Sequence, residues 1–251
     1  MATTLGGSHT TIENQLYALE KVSKLNRWVP HDLFQNDRQR RLDHSLFLLS
    51  KSRNFSWLEH LVTGDEKWCF YFNHTGKRMW IAADEERKRT PEPEFHLRKV
   101  MLSIWWDIHG VIHHEFLPPN ATITSEVYCN QLQRLKEKLI ETRPQHDKVY
   151  FQQDNARPHS AKTTRDCLLT FGWEIIPHPP YFHDLAPTDY HLFRSLQNHL
   201  ADRQFDDLQS LKTGIVQFLE AKPPSFYRDG IHSLPVRWQK VIDHDGDYFS
   251  N

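Results

Sequence analysis

Three aspartates stand where carboxylate chemistry could be done: Asp65 in Thr63-Gly64-Asp65-Glu66-Lys67-Trp68, Asp154 in Gln152-Gln153-Asp154-Asn155, and Asp189 in Ala186-Pro187-Thr188-Asp189-Tyr190. The first two lie at or near the ends of apolar runs that read as strands. The third opens a helical stretch, with 34 residues between it and the second. Two strands and a helix can bring three carboxylates to one point, and carboxylate oxygens are the donors that Mg²⁺ and Mn²⁺ prefer. Gathering them without a cation is unfavourable, because two unit charges about 4 Å apart repel by roughly 4 kcal/mol at an effective dielectric near 20. Two divalent ions about 3.5–4 Å apart reverse that balance, one activating the attacking oxygen and the other stabilising the leaving oxygen. These residues therefore point to metal-assisted cutting and joining of phosphodiesters. Asp65, on its strand, suits the rigid carboxylate shared by both ions, with Asp154 and Asp189 completing one ion each. Taken singly they have plainer uses: an Asp at a strand end or helix start is commonly a turn or capping residue, and Asp189 suits a helix N-terminus through the macrodipole. Asp184 reads as a loop-stabilising side chain. Glu66, next along the strand from Asp65, is expected on the opposite face and not among the ligands.

The elements that must position these residues can be read from periodicity. Helical spacing predicts a helix over 11–22 through Ile12, Leu16, Leu19 and Val22, then a linker in which Pro30 stops any helix. A second helix is expected over 36–50, with Leu42, Leu46 and Leu49 as its apolar positions. Residues 61–72 form a β-rich run, followed by a short strand at 78–82 and a charged, Pro-containing stretch from 84 to 98. A hairpin around His109-Gly110 joins strands 99–107 and 111–117. An amphipathic helix follows over 125–142, with Val127, Leu132, Leu135 and Leu139 on one side. Val149-Tyr150-Phe151 is a short buried strand that delivers Asp154; 161–171 is a helix and 173–176 a strand. Thr188 is expected to cap a helix running to about Leu200, and helices over 208–221 and 225–243 close the chain. Hairpin-joined strands followed by β-α-β crossovers give an α/β fold, a ribonuclease-H-like mixed sheet with helices on both faces, plus a short N-terminal helical segment. Trp105 and Trp106 are assigned to the core of the sheet.

Composition narrows the classes. The 251 residues can bury one sizeable core, and with 25% charged and 38% hydrophobic residues the chain reads as an ordinary globular protein. Neither a signal pattern nor a membrane-length apolar run is evident, and no membrane partner is expected. The three cysteines have no paired spacing and fit a reducing compartment, so the Asn-x-Ser/Thr sequences at Asn54, Asn73 and Asn120 read as chance matches. Although there are 17 histidines, none falls in a zinc-type cluster with cysteine or histidine. The formal net charge of −1 argues against a uniformly basic DNA-coating protein. Residues 21–53 nevertheless carry eight basic side chains against three acidic ones, net +5, a patch able to meet phosphates. Lys24, Arg27, Arg38, Arg40 and Arg41 are its candidate DNA contacts. Arg157 and His159, just after Asp154, are two more, with packing or capping as their competing use.

A family resemblance joins these observations. Thr63-Gly64-Asp65-Glu66-Lys67-Trp68, Ile104-Trp105-Trp106-Asp107, Asp154-Asn155-Ala156-Arg157-Pro158-His159, Pro177-His178-Pro179-Pro180-Tyr181 and Asp184-Leu185-Ala186-Pro187-Thr188-Asp189-Tyr190 together resemble the mariner transposases. So do the linker Trp28-Val29-Pro30-His31-Asp32-Leu33, the tail Arg237-Trp238-Gln239-Lys240 and the 34-residue interval from Asp154 to Asp189. The resemblance implies a catalytic domain over 34–251 using two Mg²⁺ or Mn²⁺ ions on Asp65, Asp154 and Asp189, with no small-molecule cofactor. It implies cleavage of DNA at transposon ends, strand transfer into a TA target, a homodimer and a nuclear location. The 84–98 stretch corresponds to an insertion that reaches a partner subunit. Residues 1–33 match only the end of the family's helix-turn-helix module plus its linker, so an N-terminal truncation is expected, and sequence-specific binding by a lone helix is doubtful. The alternative is a decayed or co-opted, non-transposing DNA-binding relative, such as the mariner part of a methyltransferase fusion. A local departure is Tyr181-Phe182-His183-Asp184, where the family usually carries Tyr-Ser-Pro-Asp.

Overall fold

The computed structural model describes residues 32–51, 54–73, 98–119, 121–179 and 182–249. The expected helix over 11–22, the linker as far as His31, the strand at 78–82 and nearly all of the 84–98 stretch lie outside them, as do Lys24 and Arg27. By its internal contacts the chain divides at Asp32, and Leu33–Asn251 forms one unit.

The described residues begin with α1 (Gln35–Ser50) and a short 3₁₀ turn (Ser56–His60), which lead into β1 (Leu61–Phe70). Next come β2 (Lys99–Asp107), β3 (Gly110–Phe116), α2 (Ser125–Thr142), β4 (Tyr150–Gln152), α3 (Lys162–Phe171) and β5 (Glu174–Ile175). A π-helical segment (Thr188–Phe193) runs straight into α4 (Arg194–Leu200), and α5 (Leu208–Glu220), α6 (Pro224–His232) and α7 (Leu234–Asp243) complete the order. The five strands lie in the order β3-β2-β1-β4-β5. β1, β2 and β3 pair antiparallel, whereas β1 with β4 and β4 with β5 pair parallel. This is the mixed ribonuclease-H-like sheet expected from the element order.

Strand alternation builds two cores, one on each face of the sheet. Leu61, Leu102, Ile104 and Trp106 join the helical layer of α4–α7, while Val62, Trp105 and Phe151 pack under α2 and α3. Both tryptophans are fully buried, as expected. α2 begins at Thr124, whose hydroxyl accepts the Val127 amide at 3.2 Å. Its buried face is Tyr128, Gln131, Leu132, Leu135 and Leu139, so Tyr128 takes the place expected of Val127. α3 stops at Gly172, whose φ of 73° is the left-handed conformation that ends helices.

Several expectations are corrected. The face that α1 buries is Arg41, His44, Ser45 and Leu48; Leu46 is 52% exposed. Spacing alone favoured the leucines one step round the helix, but tertiary partners satisfy Arg41 and turn its face inward. The expected helix over 225–243 is two helices meeting at Ser233, because Pro235 lacks the amide needed to continue the first. Thr188 does not cap a helix. Its hydroxyl accepts the Trp106 Nε1 proton at 3.0 Å and lies 3.4 Å from the Thr63 hydroxyl, and the segment it opens is π-helical.

Candidate active site

Register places the first two aspartates. β1 and β4 run parallel with Thr63 opposite Gln152, so Asp65 and Asp154 each follow that pair by two residues at the same end of the sheet. Gly64 lets the strand pass under an indole: a Cβ there would lie 2.2 Å from Trp105 Cδ1 and 2.6 Å from the Ile104 carbonyl oxygen. The third aspartate arrives from the helical layer. Thr63 and Trp106 hold Thr188 against the sheet, and Asp189 follows it on the π turn. There the Arg194 amide bonds back to the Asp189 carbonyl, the five-residue step of a π-helix.

Asp189 and Asp154 both act on the Asp65 carboxyl. Burial and then the negative charges of Asp189, Glu66 and Asp154 push the Asp65 carboxyl well above the usual carboxylate range. Its Oδ1 accepts the Glu66 amide at 2.7 Å. The other two carboxylates are engaged by imidazoles. Asp154 Oδ1 meets His159 Nδ1 in a short hydrogen bond and accepts the Ala156 amide at 2.9 Å. Burial alone would raise Asp154, but the His159 hydrogen bond and charge win and hold it low. Asp189 Oδ2 lies 3.2 Å from His183 Nδ1, an interaction that raises the His183 pKa.

His159 is a positioning residue. It is 1% exposed, packed at 4.1 Å against the Tyr128 ring, and its Nε2 lies 3.0 Å from Glu66 Oε2. Burial opposes its charge, yet the Asp154 and Glu66 partners lift its pKa to about 10. Glu66 does lie on the other face of β1 from Asp65, as alternation requires, and is still tied to Asp154 through this imidazolium. No local pattern announces that chain of contacts, because it joins residue 66 to residues 154 and 159.

Among the described residues, no group of three or more His, Cys, Asp or Glu side chains is arranged so that it could hold a metal ion. The donor set nevertheless fits a divalent cation chemically: three hard carboxylates share one end of the sheet, and the charges of Asp189, Glu66 and Asp154 all raise the Asp65 carboxyl.

The remaining expected contacts divide. Arg41 is corrected: it is 0% exposed, its guanidinium donates to Asp184 at 2.8 and 2.5 Å and to the Gly246 carbonyl at 2.7 Å, and it stacks between Phe182 and Tyr248. No phosphate can reach it there. Asp184 is thereby the loop-stabilising residue it was expected to be. His159 is likewise too buried to meet a phosphate. Arg40 and Arg157 are exposed, and Arg38 is half-exposed in an ion pair with Asp247 at 3.2 Å. No helix among the described residues is long and apolar enough to cross a membrane.

Known proteins match this architecture. A family model described as a transposase, partial DDE domain, matches residues 70–149. Mos1 mariner transposase of Drosophila mauritiana is 39% identical over 252 residues, covering 99% of this chain and 73% of its own length. Histone-lysine N-methyltransferase SETMAR of Homo sapiens is also 39% identical over 252 residues, but this chain spans only 37% of it. Among solved structures, the Mos1 mariner paired-end complex with Mn superposes with a TM-score of 0.89 at 40% identity, covering 99% of this chain and 74% of that one. The Mos1 catalytic domain alone gives a TM-score of 0.77 at 40% identity, covering 89% of this chain and all of that one. With the colinear motifs, the sheet order and the three clustered aspartates, these likenesses establish that the chain belongs to the mariner transposase family.

Proposed function

We propose that this chain is the catalytic part of a mariner-type transposase that cleaves DNA strands and transfers them, with Asp65, Asp154 and Asp189 as its catalytic, metal-binding residues. The observation that carries the reading is the Asp65 carboxyl, raised by its burial and by the charges of Asp189, Glu66 and Asp154. Such a cluster is costly unless a cation is its purpose. Held there, two Mg²⁺ or Mn²⁺ ions would activate the attacking water or 3′-hydroxyl and stabilise the leaving oxygen. The protein's own part is to hold Asp65 rigid on β1, to aim Asp154 through His159, and to present Asp189 from the π turn. Solved Mos1 complexes with Mn, with Mg, with a left transposon end and after strand transfer support the ions and the DNA partner.

Arg40 and Arg157 remain candidate phosphate contacts. A cavity of about 480 Å³ beside Tyr190, lined in part by Arg194, Arg237 and Lys240, adds a basic surface that the sequence reading did not single out. Action on transposon ends and TA targets, pairing into a homodimer and a nuclear location belong to the same reading, supported by the relatives' paired-end assembly. The test is conversion of supercoiled plasmid to nicked circle. The wild-type chain should nick with Mn²⁺ and not with chelator, and Asp154→Ala should not nick. Nicking that survives the substitution refutes the site.

A further inference from the structure

Two of the three cysteines, unpaired by spacing in the sequence, are brought together by the fold. Cys129 lies on α2 and Cys167 on α3, 38 positions apart in the chain (129 to 167). The two helices pack over the same core, where Leu132 and Leu168 are both fully buried. The Cys129 thiol donates to Thr164 Oγ1 at 3.8 Å. Cys167 stands one helical turn beyond Thr164, on the same face of α3, and its thiol hydrogen-bonds the Cys129 sulfur. Both side chains are partly exposed, so a small reagent can reach them. Cys69 differs: it is 1% exposed on β1, with its thiol turned to the Lys67 carbonyl at 3.9 Å.

The pair also adjoins the groups that position Asp154. Tyr128, next to Cys129, packs on the His159 ring, and Thr164 donates to the Pro158 carbonyl at 2.6 Å. A covalent link between the two cysteines would therefore fix the contact of α2 with α3 that frames His159.

We propose that Cys129 and Cys167 form a redox-modification site, at which a low-molecular-weight disulfide such as oxidised glutathione generates an intramolecular disulfide that staples α2 to α3. One protein thiolate attacks a glutathione sulfur, giving a mixed disulfide and releasing one glutathione. The second protein thiolate attacks the protein sulfur of that mixed disulfide, forms the Cys129–Cys167 bond and expels the other glutathione. The two protons lost by the protein end on the departing glutathiones, so two protein thiols are oxidised and one disulfide is reduced. Burial, and then the charge and hydrogen bond of Cys129, raise the Cys167 thiol to about 11, with the Lys136 ammonium pulling the other way. Exchange should accordingly be slow near neutral pH and accelerate as the pH rises. In a reducing compartment the resting form is the dithiol.

The test incubates the full folded chain with excess oxidised glutathione at mildly alkaline pH. Remaining thiols are then blocked with iodoacetamide under denaturing conditions, and non-reduced tryptic peptides are mapped by mass spectrometry. The expected product carries one linkage within a single chain, Cys129 to Cys167, with Cys69 alkylated. The same treatment in concentrated urea should give pairings that include Cys69, which shows that the fold selects the pair. The melting temperature should rise by about 5–10 °C, as closing a loop of this length predicts, and fall back with dithiothreitol. Cys167→Ser should keep only a mixed disulfide at Cys129 and show no such rise; should that variant fail to fold, the peptide map of the unmutated chain decides alone. Four outcomes overturn the proposal: both cysteines recovered unlinked, a native-state linkage that includes Cys69 or joins two chains, a linked chain that melts no higher, or an equal rise in Cys167→Ser. None of these readouts involves metal or DNA, so the strand-cleavage reading stands or falls separately.

Discussion

Replacing Arg41 with methionine tests the reassignment of a basic residue from DNA contact to internal strut. The guanidinium is wholly enclosed and makes two hydrogen bonds to Asp184 and one to the Gly246 carbonyl. Removing one partner of a buried ion pair typically costs about 3–5 kcal/mol, since the other charge stays behind without compensation. The Asp184 side chain keeps 16% of its surface exposed, so water can soften the loss, and the lower end, about 3 kcal/mol, is the better figure. Methionine fills much of the channel between Phe182 and Tyr248, so little of the loss should come from a cavity. In urea, with a slope near 3 kcal/mol/M, the midpoint should fall by about 1 M at unchanged slope. Pairing Arg41→Met with Asp184→Asn should recover part of the loss, because neither charge is then stranded. A midpoint shift under about 0.3 M, or a variant of normal stability that binds DNA several-fold more weakly, would refute the strut and restore Arg41 as a phosphate contact.

Three further outcomes follow from the geometry. Gly64→Ala should destabilise the fold by about 1–3 kcal/mol in calorimetric melting, because the new methyl meets Trp105 and the Ile104 carbonyl; an unchanged melting temperature would contradict that packing. His159 has its pKa raised to about 10 from an unfolded value near 6.5, so its contribution is complete below about pH 6.5 and is lost as the pH climbs toward 10. Stability measured by denaturant titration should therefore fall over that window, and the fall should be shallower in His159→Gln. Asp65 runs in the same direction: its pKa is raised too, so ionising it above about pH 4 works against the folded state. Mn²⁺ or Mg²⁺ should accordingly raise the melting temperature at pH 7.5, and Asp65→Asn should be more stable than wild type without metal and gain less with it.

Much of the fold was legible because β-rich runs and helical spacing carry it. Strands β1 to β3, helix α2 and the buried Trp105-Trp106 pair follow from local pattern, and all three aspartates fall on the elements expected to bear them. Local pattern fails where distant partners decide. Arg41 sits in the basic run Arg38-Gln39-Arg40-Arg41, and nothing within it says that Asp184, 143 residues on, will draw one guanidinium inward. Thr188 has the composition of a cap, but Trp106 from the sheet captures its hydroxyl. The Glu66–His159–Asp154 relay was invisible for the same reason: each pair looks ordinary until parallel pairing of β1 with β4 brings the strands together.

The π turn under Asp189 has a consequence for how this chain can tolerate insertions and deletions. Each residue of an ordinary helix swings the next side chain by about 100°. Deleting one position between Thr188 and Phe193 would restore the tighter α pitch and rotate Asp189 relative to α4. A length change in the coil ahead of Pro187 would leave that angular phase untouched. The strict ruler is therefore the one after Asp189, through the turn to α4.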